Sequence, residues 1–177
     1  IRNQKDVATP LMALGSWAPV YLKSRNNENA LLSALRQEPW FDLAISIHER
    51  RLDSAGDEQF YTMKVVSRDG MGFVQKNIKT NSIYYFVQEG NPLQIADSLI
   101  SSKSNLVAID PQTALTATAK SGYPDALYRI AEAGSLEHFD FPNLNITTKD
   151  GYFIRGPLGG FTKMYRTHGS LSAASSF

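Results

Sequence analysis

Residues 18–48 read APVYLKSRNNENALLSALRQEPWFDLAISIH, and this stretch decides the fold class that the sequence predicts. Residues 18–22 are an apolar run short enough for a buried strand. Residues 30–35 then place alanine and leucine at the i, i+3 and i+4 spacing of one helix face, and Pro39 ends that pattern. Residues 41–48 alternate apolar and polar side chains, which is typical of a strand.

A strand, a helix and a second strand in this order form the unit of a parallel α/β sheet. The sequence therefore predicts an α/β fold, in which part of a parallel-type core sheet is accompanied by helices. Residues 11–51 and 140–177 are expected to supply these core elements.

Residues 52–90 change in character, since three β-rich runs are separated by short polar turns. Three consecutive strands with tight turns predict an antiparallel meander. We expect this meander as an insertion at the edge of the α/β core. Its strands are predicted at 60–66, 72–78 and 83–87.

Residues 91–139 are predicted to be mainly helical. Three patterns begin with proline in the first turn, where the missing amide donor costs little; they cover 92–100, 111–120 and 124–133. Residues 106–109 fit either a strand or an extended connector. Next, 144–148 and 152–154 predict a hairpin, so that residues 1–177 form a single α/β segment of a larger domain.

Composition excludes several functional classes. The 18 basic and 17 acidic residues give a net charge of +1, which provides no field for recruiting nucleic acid. The chain has no cysteine, which excludes disulfides, thiolate nucleophiles and Cys-ligated metals. No apolar run is long enough for a transmembrane helix. Because it starts at Ile1 without a signal peptide, the chain is interpreted as processed or excised.

The carboxyl-terminal segment carries the most distinctive motif. His168 is followed at once by Gly169 and Ser170, shortly after the glycine-rich run 156–160. Glycine allows close approach of the backbone, so this pattern suits an imidazole beside a metal ion or an oxyanion. A histidine in an ordinary loop is the alternative interpretation.

With these elements in order, the chain resembles the alkaline-phosphatase superfamily, in the branch of type I phosphodiesterases and nucleotide pyrophosphatases. The resemblance covers about residues 15–177. It is carried by element order and by these segments: residues 15–22, residues 31–45, Glu89-Gly90-Asn91-Pro92-Leu93, Tyr123-Pro124-Asp125-Ala126, residues 145–153 and His168-Gly169-Ser170-Leu171.

The resemblance implies a metal-dependent phosphoesterase acting on a small phosphate ester. It makes His168 a late ligand of one of two divalent metal ions, commonly zinc. Gly169 and Ser170, together with Gly159 and Gly160, would form a loop beside the substrate.

The chain departs from the family pattern in ways that limit this expectation. It has no Asp-His-Gly motif, and Asn91 stands where the family has aspartate. The resemblance places the nucleophile and the acidic ligands upstream of this chain, in the remainder of the same protein. A catalytic zinc site needs about three protein ligands, so this segment alone is expected to bind metal poorly.

Other residues have both a functional and a structural interpretation. His48 could act as a base beside Asp42 and Ser46, but an exposed or structural strand histidine is favoured. Similarly, packing is favoured over base stacking for residues 84–86, and a helix N-cap over a ligand carboxylate for Asp110. His138 is interpreted as a solvated loop residue rather than a metal ligand. The Arg50-Arg51 pair is interpreted as surface charge rather than a phosphate-binding site.

Two other functional classes remain open at this stage. The first is a non-catalytic sensing or interaction domain excised from a longer receptor. The second is a different cysteine-free enzyme, such as a lyase or an ADP-ribosyl transferase, that would use Arg166, His168 or His48.

Overall fold

The computed structural model describes residues 7–8, 17–22, 24–52, 59–118, 122–135, 142–152 and 154. The strands are β1 Val7–Ala8, β2 Trp17–Leu22, β3 Phe41–Leu52, β4 Gln59–Ser67, β5 Gly70–Asn77, β6 Ile83–Gly90, β7 Ile100–Ser101 and β8 Leu144–Thr148. The α-helices are α1 Glu28–Arg36, α2 Pro111–Ala117 and α3 Ala126–Ser135. One-turn 3-10 helices cover Arg25–Asn27 and Asp97–Leu99.

The strands form one sheet in the order β1-β2-β8-β3-β4-β5-β6-β7. Every neighbouring pair in this order is antiparallel except β6 and β7. The predicted α/β fold with a parallel-type core is therefore wrong. Strands β2 and β3 do run in the same direction, but β8 lies between them and pairs antiparallel with both.

The predicted meander is confirmed as strands β4, β5 and β6. It is not an insertion at the edge of a parallel core, because β3 continues directly into it through a long antiparallel pairing with β4. Alternation of buried and partly exposed residues along β5 shows why this segment is a strand with two different faces.

Helices cover both faces of the sheet. On one face α1 packs Leu31, Leu32 and Leu35 against β2, β8, β3 and β4. On the other face α2 and α3 cover the larger apolar cluster of the meander. Gly134 lies within α3, where a Cβ would be 3.0 Å from Met63 Cγ. The missing side chain lets α3 approach β4 closely.

The helix predicted at 92–100 is wrong, since only Asp97–Leu99 form a 3-10 turn there. The Asn91 side chain closes the loop instead: its Nδ2 donates to Ile95 O at 2.7 Å, and its Oδ1 accepts from Ile95 N at 3.2 Å. Residues 106–109 are an extended connector, in which Ile109 bridges to Ile83. Among the described residues, none of the helices has the length and hydrophobicity that a transmembrane span requires.

Candidate functional site

The residues that the sequence singled out most strongly lie outside the described residues. These are His168, Gly169, Ser170, Gly159 and Gly160, and their assignment as a metal ligand and a substrate loop stays a prediction. His138 and Arg166 also lie outside. Within the described residues, no group of three histidine, aspartate or glutamate side chains could hold a metal ion.

A groove lies between α1 and the meander. The leucines of α1 reach Val66 of β4, and beyond them Lys64 and Phe73, on the same face of β4 and β5, line the groove. The volume of the groove is about 360 Å³. We call it the ring-lined groove, and its lining residues are Asn29, Leu32, Ser33, Arg36, His48, Lys64, Val66, Met71, Phe73 and Gln88.

Two rings form part of this lining. The imidazole of His48 lies against the ring of Phe73, with centroids 4.8 Å apart and planes tilted by 53°. His48 is exposed, as one of its interpretations expected. It does not share a site with Asp42, because an irregular register between Phe41 and Leu43 turns Asp42 toward Tyr123 on the other face.

Strand register extends this aromatic surface beyond the groove. Lys64 lies opposite Phe73, and Phe73 lies opposite Phe86 of β6. Tyr84 precedes Phe86 by two residues and faces the same side. Tyr85 faces the opposite core, where its hydroxyl donates to Asn91 Oδ1 at 3.3 Å, so packing is confirmed for this tyrosine. Tyr84 and Phe86 remain partly exposed.

Cationic side chains form the wall of the groove. Arg36 donates to Glu89 through both Nη atoms, at 3.0 and 2.9 Å. These hydrogen bonds lower the pKa of Glu89 and raise that of Arg36. The buried Lys64 donates to Glu28 Oε1 at 3.3 Å and to Asn29 Oδ1 at 2.9 Å. Lys64 is therefore anchored to α1, whereas Arg36 is paired with an exposed carboxylate at the end of β6.

A second polar cluster is buried where β3 begins and β8 ends. Tyr123 donates its hydroxyl to Asp42 Oδ1 at 2.9 Å. The Thr147 hydroxyl lies 3.3 Å from Asp42 Oδ2 and 3.4 Å from Leu43 O, so its one proton is shared between them. Burial disfavours the charged carboxylate and raises the pKa of Asp42, although both hydroxyl donors oppose this.

The raised pKa of Asp42 predicts a measurable pH dependence. The folded protein holds the proton of the Asp42 carboxyl group more tightly than the unfolded chain does, where aspartate has a pKa of about 3.9. The protonated Asp42 therefore adds to the free energy of unfolding, and this contribution is complete below the pKa of the unfolded chain. It is lost as the pH rises through the pKa of Asp42 in the folded protein. Asp42→Asn should remove this loss, so that the free energy of unfolding changes less between acidic and neutral pH than it does in the wild type.

Asparagine fits the Asp42 position, because its Oδ1 can accept the hydrogen bond from the Tyr123 hydroxyl and its Nδ2 can donate to the Thr147 hydroxyl. The Thr147 hydroxyl would then donate only to Leu43 O. Urea unfolding of both proteins at several pH values measures the effect. The exposed Asp97→Asn is the control. Parallel pH profiles for Asp42→Asn and wild type would show that Asp42 does not titrate as a buried acid.

Sequence patterns contained partial signals for these residues. Asp42 lies between two apolar residues, Lys64 lies in a mainly apolar run, and Phe73 and Phe86 each lie within a predicted strand of the meander. What the sequence did not show is that α1 leaves Phe73 outside the apolar cluster that its leucines form. Asp110 is confirmed as an N-cap, because its Oδ1 accepts from Thr113 N at 2.9 Å.

Comparison with protein-family models, curated proteins and solved structures gives no match.

Proposed function

We propose that this chain is the later portion of a metal-dependent phosphoesterase and contributes His168 as a ligand of one of two divalent metal ions. The observation that carries the proposal is the motif His168-Gly169-Ser170. Neutral imidazole is a good zinc ligand, and glycine allows close approach beside it. Gly159 and Gly160 are assigned with Gly169 and Ser170 to the loop that faces a small phosphate ester.

Element order gives further support. Strand β2, helix α1, strand β3 and the meander β4 to β6 follow one another along the chain in the order that the resemblance implies, although the sheet that they form is mostly antiparallel and not the implied α/β core. At the turn after β8, Tyr152 N donates to Lys149 O at 3.1 Å. The proposal rests on this order and on the motif, and not on a parallel core sheet.

The described residues act as a scaffold in this proposal. A catalytic zinc ion needs about three protein ligands, and the described residues contain no such group. The resemblance assigns the other ligands and the nucleophile to the remainder of the same protein. The chain by itself should bind zinc weakly and hydrolyse no phosphate ester.

The test uses the protein encoded by the complete reading frame, assayed with phosphate monoesters and diesters in the presence of zinc. His168→Ala should lower kcat/KM by at least about 100-fold, because losing even an outer partner of a metal ligand costs 10–100-fold. The bound metal, measured by mass spectrometry, should fall as well. His48→Ala is the control and should keep both. Unchanged activity and metal content in His168→Ala would refute the proposal.

A non-catalytic binding domain is the second candidate function. The ring-lined groove favours it, because the groove combines aromatic and cationic side chains in the part of the chain that the structure describes. Binding there would need neither a metal ion nor His168, which separates the two functions experimentally.

A further inference from the structure

We propose that the ring-lined groove binds a small ligand made of a planar aromatic ring that carries an anionic group. The inference is independent of the metal proposal, since it uses only side chains of α1 and of strands β3 to β6. Four observations support it: the rings, the hydrogen-bond donors, the size of the groove and the charge of the whole chain.

The rings provide a surface for stacking. Phe73 is only half-buried although it lies in the middle of the sheet, and His48 is its one ring neighbour within contact distance among the described residues. Phe86 follows directly across the next strand. Aromatic faces attract other planar rings through offset or tilted stacking.

Two of the polar side chains that line the groove, Arg36 and Lys64, can only donate hydrogen bonds. Arg36 uses two of its five N–H donors on Glu89, and Lys64 uses two of its three on Glu28 and Asn29. The Gln88 side chain makes no hydrogen bond within the described part of the chain. The remaining donors point to an anionic group, and a charged acceptor would strengthen each bond.

Glu89 does not block such an anion. Its side chain is 57% exposed, so its pair with Arg36 is the kind of surface ion pair that contributes little to stability. Arg36 can therefore turn toward a ligand while Glu89 moves into water. The carboxylate of Glu28 is already occupied by Lys64 and by the Ser46 hydroxyl.

Size and charge select a small molecule over a polymer. A volume of about 360 Å³ lies within the range of roughly 300–1,000 Å³ typical of small-ligand sites. A single-stranded nucleic acid would require a positive track along its backbone, but the net charge of the chain is only +1.

The experiment is calorimetric titration of the chain with adenosine monophosphate and with 2-naphthoate, in the presence of EDTA. Adenosine and inorganic phosphate serve as half-ligands and should bind more weakly than adenosine monophosphate. Phe73→Leu keeps the apolar volume but removes the ring, and Arg36→Gln removes the charge. Each should weaken binding by about tenfold.

Matched controls are Tyr152→Leu, which removes an aromatic ring that is 48% exposed, and Arg68→Gln, which removes an exposed cation at the β4–β5 turn. Both should bind as wild type. Absence of saturable binding for both planar anions would overturn the proposal, as would wild-type affinity in Phe73→Leu. Much tighter binding of an oligothymidylate strand would replace it with a nucleic-acid surface.

Discussion

Gly90→Ala should destabilise the protein by roughly 3–5 kcal/mol, in the range reached by substitutions at strained backbone positions. Gly90 has φ +58 at the end of β6, and a Cβ there would lie 1.8 Å from the carbonyl oxygen of Asp69. The chain needs this approach because the next residue, Asn91, donates its amide to the same carbonyl at 3.1 Å. The Asn91 Oδ1 atom in turn accepts hydrogen bonds from Ile95 N and from the Tyr85 hydroxyl.

Gly151→Ala is the matched control. Gly151 has φ +83, which also favours glycine, but a Cβ there would meet nothing within 4 Å. It should cost only about 1 kcal/mol, the penalty of the left-handed backbone. The free energy of unfolding from urea titration measures both variants. Equal losses would mean that the contact between Gly90 and Asp69 is not as close as described.

Leu144→Ala should lower the free energy of unfolding by about 2–5 kcal/mol, because a fully buried leucine leaves a cavity when truncated. Leu144 has no exposed surface and packs with Val20, Phe41 and the leucines of α1. The loss is this large only if β8 lies inside the sheet between β2 and β3. A strand in a peripheral hairpin would tolerate the change.

Leu106→Ala is the control for this prediction, since Leu106 is 62% exposed. Its effect should stay within about 0.5 kcal/mol. Hydrogen exchange gives a second readout, in which the amides of β8 should be among the most protected of the chain. Similar effects of the two leucine substitutions would contradict the central position of β8.

Local patterns were sufficient for most individual elements. The meander was predictable because alternation and polar turns such as 67–70 are properties of neighbouring residues. Helix α2 was predictable for the same reason, with Asp110 as its cap and Pro111 in its first turn. The helix predicted at 92–100 failed because distant groups compete there: the buried Tyr85 hydroxyl accepts from Leu93 N at 3.3 Å.

Side-chain direction was less predictable than element type. Alternation along β3 placed Asp42 on the same side as Ser46 and His48. A register shift near Asp42 instead turns it toward Tyr123, while Ser46 faces Glu28 on α1. Such an irregularity has little local signature, because it depends on the strand that pairs alongside.

The sequence by itself determined most of the strands and helices, which functional classes composition excludes, and that His168 carries the most distinctive motif. Only the tertiary structure decided the sheet order and the ring-lined groove. The physical reason is that β8 enters the sheet beside β3 although about a hundred residues separate them along the chain, and burial of apolar side chains selects that pairing without regard to sequence distance. The groove exists because α1 then covers β8 and leaves Phe73 open.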